Sequence, residues 1–204
     1  MTMSDAITVF VALFVVIDPI GLSPMFIAIT RGMSTRARRA IAIRSCIVAV
    51  GLLTVFGLAG EAVLGFLGIS LSAFRIAGGI LLFLTALDML FERRTQRRQG
   101  QADAPHADDP SVFPLAMPLI AGPGAIATMI LLTGSAGSGA GIAMVHGVML
   151  AVILVVFLLF LLAGPMEKLL GPVGINVVTR LLGMLLAALS VQFVIDGIRD
   201  LQVF

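Results

Sequence analysis

The reading turns on Val15-Val16-Ile17-Asp18-Pro19-Ile20-Gly21-Leu22-Ser23-Pro24, which lies in the middle of an apolar run from about residue 5 to residue 30. The flanks have the composition of a membrane-spanning helix, which needs about 20 mostly apolar residues. The centre does not. A proline inside a helix removes one backbone hydrogen bond and presses its ring on the preceding turn. In hydrocarbon each unpaired backbone group costs several kcal/mol. Asp18 and Ser23 are N-cap residue types, and Pro19 and Pro24 suit the first position of a new helix. The stretch therefore predicts a span broken near its midpoint into two half-helices. Irregular backbone at that depth persists only when buried in protein or lining a cavity.

The rest of the chain has the same character. Of its 204 residues, 59% are hydrophobic and 12% charged, and the mean hydropathy is +1.14. A soluble fold of this size must turn most of its residues to water and cannot hide so much apolar surface. Six spans are read at about residues 5–30, 40–60, 70–91, 112–133, 142–164 and 177–199. The opening Met-Thr-Met-Ser-Asp-Ala lacks a basic n-region, so the first span is expected to be permanent. A formal net charge of +2 gives no reason to expect nucleic acid as a partner. The single cysteine, Cys46, excludes a disulfide within the chain.

The basic residues alternate along the loops. Arg31, Arg36, Arg38 and Arg39 follow span one, with Arg44 just inside span two; Arg93, Arg94, Arg97 and Arg98 follow span three; Lys168 follows span five. The second loop offers only Glu61 and the fourth, Gly134 to Gly141, has no basic residue. By the positive-inside rule the first, third and fifth loops are cytoplasmic and both termini extracytoplasmic. Residues 92–111 form a polar linker rich in Gln, Ala, Asp and Pro. Within it, His106 reads as a solvated loop residue.

The two halves resemble each other. Aligning Val9-Phe10 with Val112-Phe113 brings Ile17 onto Ile120, Gly21 onto Gly124 and Thr30 onto Thr133. Asp18-Pro19-Ile20-Gly21 then faces Ala121-Gly122-Pro123-Gly124. With two residues of slip in the second copy, Arg75 matches Arg180, Gly78 matches Gly183 and Thr85 matches Ser190. Three spans per half is an odd number, so the second copy enters the membrane from the opposite side. The expected fold is an all-α membrane domain over residues 1–204. It comprises two inverted three-helix repeats (1–91 and 112–204) joined by the cytoplasmic linker 92–111, with helices 1 and 4 broken near the midplane. Many secondary transporters share this plan.

Two restarting half-helices can aim their N-termini at one site, and such termini attract anions such as a carboxylate. Asp18 beside them suits an ammonium group, Na+ or H+. Carboxylate and amine together describe a small amino acid, and the glycines favour glycine, alanine or serine. Arg75 and Arg180 either snorkel to the headgroups or brace and gate the two sides of the membrane. Asp88 and Asp196 read as interfacial. Thr85, Ser190 and Gln192 either line the cavity or hydrogen-bond between helices. His146 reads as a structural residue near the outer surface rather than a proton relay. No Walker loop, HExxH or GxSxG is present, so neither ATP-driven transport by this chain nor enzymatic activity is expected.

Asp18-Pro-Ile-Gly-Leu-Ser-Pro24 followed by Met25-Phe26, together with Pro118-Leu-Ile-Ala-Gly-Pro-Gly-Ala-Ile126, resembles the two signatures of the MarC family of bacterial and archaeal inner-membrane proteins. The span count, linker and length agree over the whole chain. The resemblance implies a grouping with LysE-type amino acid exporters and, from relatives of the SnatA type, transport of small neutral amino acids coupled to a cation gradient. The resemblance implies a substrate site of Asp18, Pro19, Ile20, Gly21 and Ser23 in the first break. In the second it implies Ala121, Gly122, Pro123, Gly124 and Ala125. No resident cofactor or metal is expected, only a coupling ion, Na+ or H+. Efflux of amino acids or drugs, and a non-transporting membrane scaffold, are the rival readings.

Overall fold

The computed structural model describes residues 3–93 and 109–201, so Arg94, Arg97, Arg98, Asp103, His106 and Asp108 of the linker lie outside the described residues. Among those described, every regular element is a helix: α1 (Met3–Ile17), α2 (Pro19–Ile29), α3 (Thr35–Phe66), α4 (Leu71–Leu90), α5 (Ser111–Ile120), α6 (Pro123–Gly134), α7 (Gly139–Leu161) and α8 (Ala163–Asp200). Five stretches are long and apolar enough to cross a bilayer: Asp5–Ile29, Thr35–Phe66, Leu71–Leu90, Gly139–Leu161 and Lys168–Asp200. The pair α5–α6, bent by 57°, makes a sixth if it counts as one broken span. The outward faces suit lipid rather than water: Val55, Leu58, Phe66, Leu154, Leu158, Leu181 and Leu185 are all exposed.

Serines start three of the long helices. Ser34, Ser70 and Ser138 accept from the backbone N–H of Ala37, Ala73 and Gly141 at 3.3, 3.1 and 3.1 Å. Each satisfies one of the N–H groups that a helix start leaves without a partner. The expected loop between spans five and six is instead helical, because α8 already begins at Ala163. At Gly171 the chain takes φ 61°, ψ 175°, and Pro172 resumes the helix. A glycine past one helix end and a proline at the next helix start fit this kink.

The broken first span is the centre of the bundle. α1 packs on α6, α7 and α8, and α2 on α5, α7 and α8. Phe26 of α2 stacks on Phe160 of α7 with ring centroids 4.4 Å apart, both fully buried. Arg38 places its guanidinium 5.6 Å from the centre of the Phe26 ring, tying the start of α3 to α2.

α4 and α8 run antiparallel in close contact because glycines open the way. A Cβ on Gly79 would meet Val194 Cγ2 at 2.7 Å and the Ser190 carbonyl at 2.8 Å. A Cβ on Gly197 would meet Ile76 Cγ1 at 2.7 Å and the Ser72 carbonyl at 2.9 Å. Small residues of this kind let helix backbones approach in a membrane, where no hydrophobic force drives helices together.

At the edge of the linker, Asp109 accepts from both the N–H (3.0 Å) and the hydroxyl (2.6 Å) of Ser111, and its other oxygen lies 3.2 Å from Arg44 of α3. The Ser111 hydrogen bonds, with a smaller contribution from Arg44, hold the carboxyl below its usual pKa. A depressed carboxyl pKa adds stability above the unfolded value, and that stability is lost as pH falls through the folded value. Asp109→Asn is therefore expected to lower Tm at neutral pH by about 1–2 °C, the scale of an exposed pair. The difference from wild type should close in acid; a gap that persists unchanged at pH 3 would show that Asp109 stabilises by some other means.

Candidate functional site

The first break is a single residue. Asp18 stands between α1 and α2 in the left-handed region, φ 57°, ψ 65°. Among L-residues, Asp and Asn tolerate this conformation best, because their short polar side chains bond locally. The Asp18 N–H still donates to Phe14 O at 2.9 Å, and Leu22 N–H donates to Asp18 O at 3.0 Å, so the helix restarts at once. Oδ1 of Asp18 caps the new helix by accepting from Gly21 N–H at 3.1 Å. Pro19 follows at the first helical position. Asp18, Pro19 and Ser23 are buried, Asp18 at 0% exposure, while Ile20 and Gly21 are half-buried.

Of the two cap-and-proline pairs in this stretch, Asp18-Pro19 makes the break and Ser23-Pro24 does not: α2 runs through Pro24. The Ser23 hydroxyl turns back to Pro19 O at 3.1 Å instead of capping a new helix. One lost hydrogen bond kinks a helix without ending it when neighbouring groups supply partners.

The second break is larger. α5 is a wide, π-type turn of helix in which Phe113 and Met117 leave the helical region. Each precedes a proline (Pro114 and Pro118), which pushes the residue before it towards extended backbone, and both peptide bonds are cis. The chain then passes through Ala121 (φ −89°, ψ 60°) and Gly122 (φ −77°, ψ 170°), and α6 starts at Pro123. Gly122 offers no side chain, so no side-chain hydrogen bond caps α6. Ala121 and Ala125 are buried, Gly122 and Gly124 half-buried and Pro123 exposed.

The second break lies against the helix that leads into the first. The Cβ position of Gly124, in the first turn of α6, lies 3.3 Å from Val16 Cγ1, two residues before Asp18. Leu82 Cδ2 of α4 is equally near at 3.3 Å and Thr85 Oγ1 is at 4.0 Å. Thr128, one turn into α6 and 0% exposed, donates to Gly124 O at 2.8 Å. Sequence reasoning passed over Thr128, although a threonine four residues after Gly124 must share its helix face.

The chemistry of the two breaks differs. At the first, the Gly21 N–H that could have met an anion is occupied by the Asp18 carboxylate. At the second, the first-turn N–H groups of α6 carry the positive end of the helix dipole and no side-chain cap. One break thus presents a buried carboxylate and the other an uncapped helix start.

Arg75 is held inside the protein's own contacts. Its side chain is 13% exposed and pairs with Asp200 at the end of α8 while donating to Ser135 just past α6. At the other end of the same helix pair, Arg180 meets Glu92 at 2.6 Å, both about half exposed. Among the described residues Thr85, Ser190 and Gln192 bond within their own helices, to Leu81 O, Ala187 O and Asp196, and not between helices. His146 directs Nδ1 at Ile142 O (2.8 Å), and its buried Nε2, which has no hydrogen-bond partner among the described residues, faces Gly57 and Met129. Among the described residues no group of three His, Cys, Asp or Glu is placed to hold a metal ion.

Comparison with known proteins agrees with this architecture. Residues 3–202 match the MarC family, described as MarC family integral membrane protein. A UPF0056 membrane protein of Archaeoglobus fulgidus is 38% identical over 196 residues, covering 94% of this chain and 91% of the relative. A UPF0056 membrane protein of Aquifex aeolicus is 35% identical over 196 residues, with 94% and 91% covered. The UPF0056 inner membrane protein YhgN of Escherichia coli K12 is 34% identical over 200 residues, with 97% and 98% covered. No solved structure matches. A multi-pass helical chain with two interrupted spans, matched to this family from residue 3 to residue 202, belongs to the MarC family of integral membrane proteins.

Proposed function

We propose that the protein is a secondary transporter of small neutral amino acids such as glycine, alanine and serine, working by alternating access about the two breaks. The observation that carries this reading is the contact of Gly124 with Val16, which sets an uncapped helix start beside a break that holds a buried carboxylate. In this scheme the substrate carboxylate binds at the start of α6, on the N–H groups around Gly122, Gly124 and Ala125. The amino group, or the coupling Na+ or H+, binds at Asp18. The occupied Gly21 N–H argues that the carboxylate is held by the second break and not shared between both. Asp18 is fully buried here, so entry of substrate needs the helices around it to part.

The inverted repeat belongs to the proposal. It is supported by the antiparallel α4–α8 pair, which is tied by Arg75 at one end and by Arg180, its counterpart in the other half, at the opposite end. In this scheme each arginine latches one side of the membrane, with the loops after spans one, three and five cytoplasmic. The chemistry is transport without catalysis and needs no resident cofactor. Export by the same site, in the manner of LysE-type exporters, differs only in which gradient drives it.

The test is a thermal-shift screen of the detergent-purified protein against the twenty amino acids, with and without Na+ and across pH. A ligand at a hundred times its Kd stabilises by about 2.7 kcal/mol, roughly 5–10 °C for a chain of this size. Glycine, alanine or serine is expected to give that shift, with the Na+ or pH dependence naming the coupling ion. No shift with any amino acid under any condition would overturn the proposal.

A further inference from the structure

A cavity of about 350 Å³ opens between α4, α6 and α8, lined by Arg75, Ser135, Phe193, Asp196, Arg199 and Asp200, with Leu131 and Leu132 at its side. This volume is at the lower end of small-ligand sites. Its two arginines and two aspartates balance in number, but only one pair of them is joined. Arg75 and Asp200 pair with each other, and Arg75 also holds Ser135. Among the described residues Asp196 accepts only from the neutral Gln192, at 2.7 Å. Among the described residues neither Asp196 nor Arg199 has an ion-pair partner. Three residues apart on one helix, they share a face, and both line the same cavity. After internal pairing the cavity is thus left with one carboxylate and one guanidinium.

We propose that this cavity is a second, peripheral binding site for a small zwitterion, with the α-carboxylate on Arg199 and the α-ammonium on Asp196. Resting on the transport reading above, it is the vestibule in which the amino acid docks on the extracytoplasmic side before reaching the breaks. Its place supports that role. Leu131 and Leu132 of its wall belong to α6, two turns along from Gly124, so the cavity and the central site share one helix. The Arg75 bridge from α4 to Asp200 and Ser135 lines the same cavity. A docked carboxylate would compete with Asp200 for Arg75, coupling arrival of the solute to release of the contact that holds α4, α6 and α8 together. A small side chain would rest against Phe193 and Leu132, while a free amine or carboxylic acid would satisfy only one of the two charges.

Isothermal titration with glycine separates the two sites. Asp18→Asn, which removes the central carboxylate, is expected to retain weak saturable binding, and adding Arg199→Gln should abolish it. Arg199→Gln alone should raise KM for glycine entering proteoliposomes about tenfold, the value of one charge-assisted hydrogen bond. Arg199→Lys should recover most of the loss. Arg199 is exposed, so these changes leave the packed helices untouched. Binding to wild type that disappears completely in Asp18→Asn, with an unchanged KM in Arg199→Gln, would overturn the peripheral site and leave the central one standing. Failure of wild type to bind any amino acid would overturn both.

Discussion

Asp18→Asn in proteoliposomes is expected to cut the initial rate of amino acid uptake by about a hundredfold, while the purified protein keeps its monodispersity and helical content. The factor corresponds to ~3 kcal/mol, the upper end for a hydrogen bond to a charged group. The substitution isolates charge from structure. Asparagine tolerates the left-handed backbone at position 18 (φ 57°) as aspartate does. Its Oδ1 can still accept from Gly21 N–H, so α2 remains capped. Only the negative charge and the capacity to carry a proton or bind a cation are lost. Asp18→Ala is the contrasting variant. It loses the cap, at about 0.5–2 kcal/mol, and is strained at positive φ, so it should lose stability together with transport. Full uptake by Asp18→Asn would reduce Asp18 to a capping residue and remove the carboxylate from the mechanism.

The architecture was legible where local chemistry decides it. Asp18-Pro19 and Gly122-Pro123 each combine a helix-starting proline with a preceding residue suited to a cap, and the chain breaks at both. Ser23-Pro24 has the same composition and does not break: the helix continues, and the Ser23 hydroxyl donates to Pro19 O one turn back instead of accepting from a new helix start. Residue type alone does not decide between the two outcomes. The same holds at Pro114 and Pro118, where the irregular turn of α5 enlarges the second break beyond the Gly-Pro-Gly segment. Arg75 and Arg180 were recognisable as a matched pair, but their partners Asp200 and Glu92 depend on how α4 lies on α8. Asp196 had the look of an interfacial acid. Its place beside Arg199 in a cavity emerges only when the end of α8 is set against α4 and α6. Asp18 accepts from the Gly21 N–H, as its residue type predicts, and this withdraws that N–H from any ligand. A cap that occupies its own helix start cannot also present it to a ligand, and the two breaks, alike in position, are unlike in chemistry.

Gly122→Ala should be the most damaging single methyl group in the central region, lowering Tm by about 5–10 °C, the result of ~2–3 kcal/mol of overpacking in a chain of this length. The backbone at Gly122 (φ −77°, ψ 170°) is open to any residue, so the cost is not conformational. It is steric: a Cβ would stand 2.5 Å from the carbonyl oxygen of Pro118. That oxygen belongs to backbone and cannot rotate aside as a side chain would. The Ala121 N–H is also held to Ala116 O at 2.8 Å, which fixes the approach to the bend. Relief must come from changing the 57° angle between α5 and α6. Such a change carries the start of α6, and Gly124 with it, away from Val16 and the first break. Stability and amino acid binding should therefore fall together. Gly147→Ala is the control, since a Cβ there meets nothing within 4 Å; it should leave both properties near wild type. A Gly122→Ala protein with unchanged Tm and unchanged binding would mean that the bend yields freely and that its angle does not position the substrate. A protein that is destabilised yet binds as wild type would keep the packing argument and detach the second break from the site. Loss of both, with Gly147→Ala intact, would tie recognition to the geometry of one uncapped helix start.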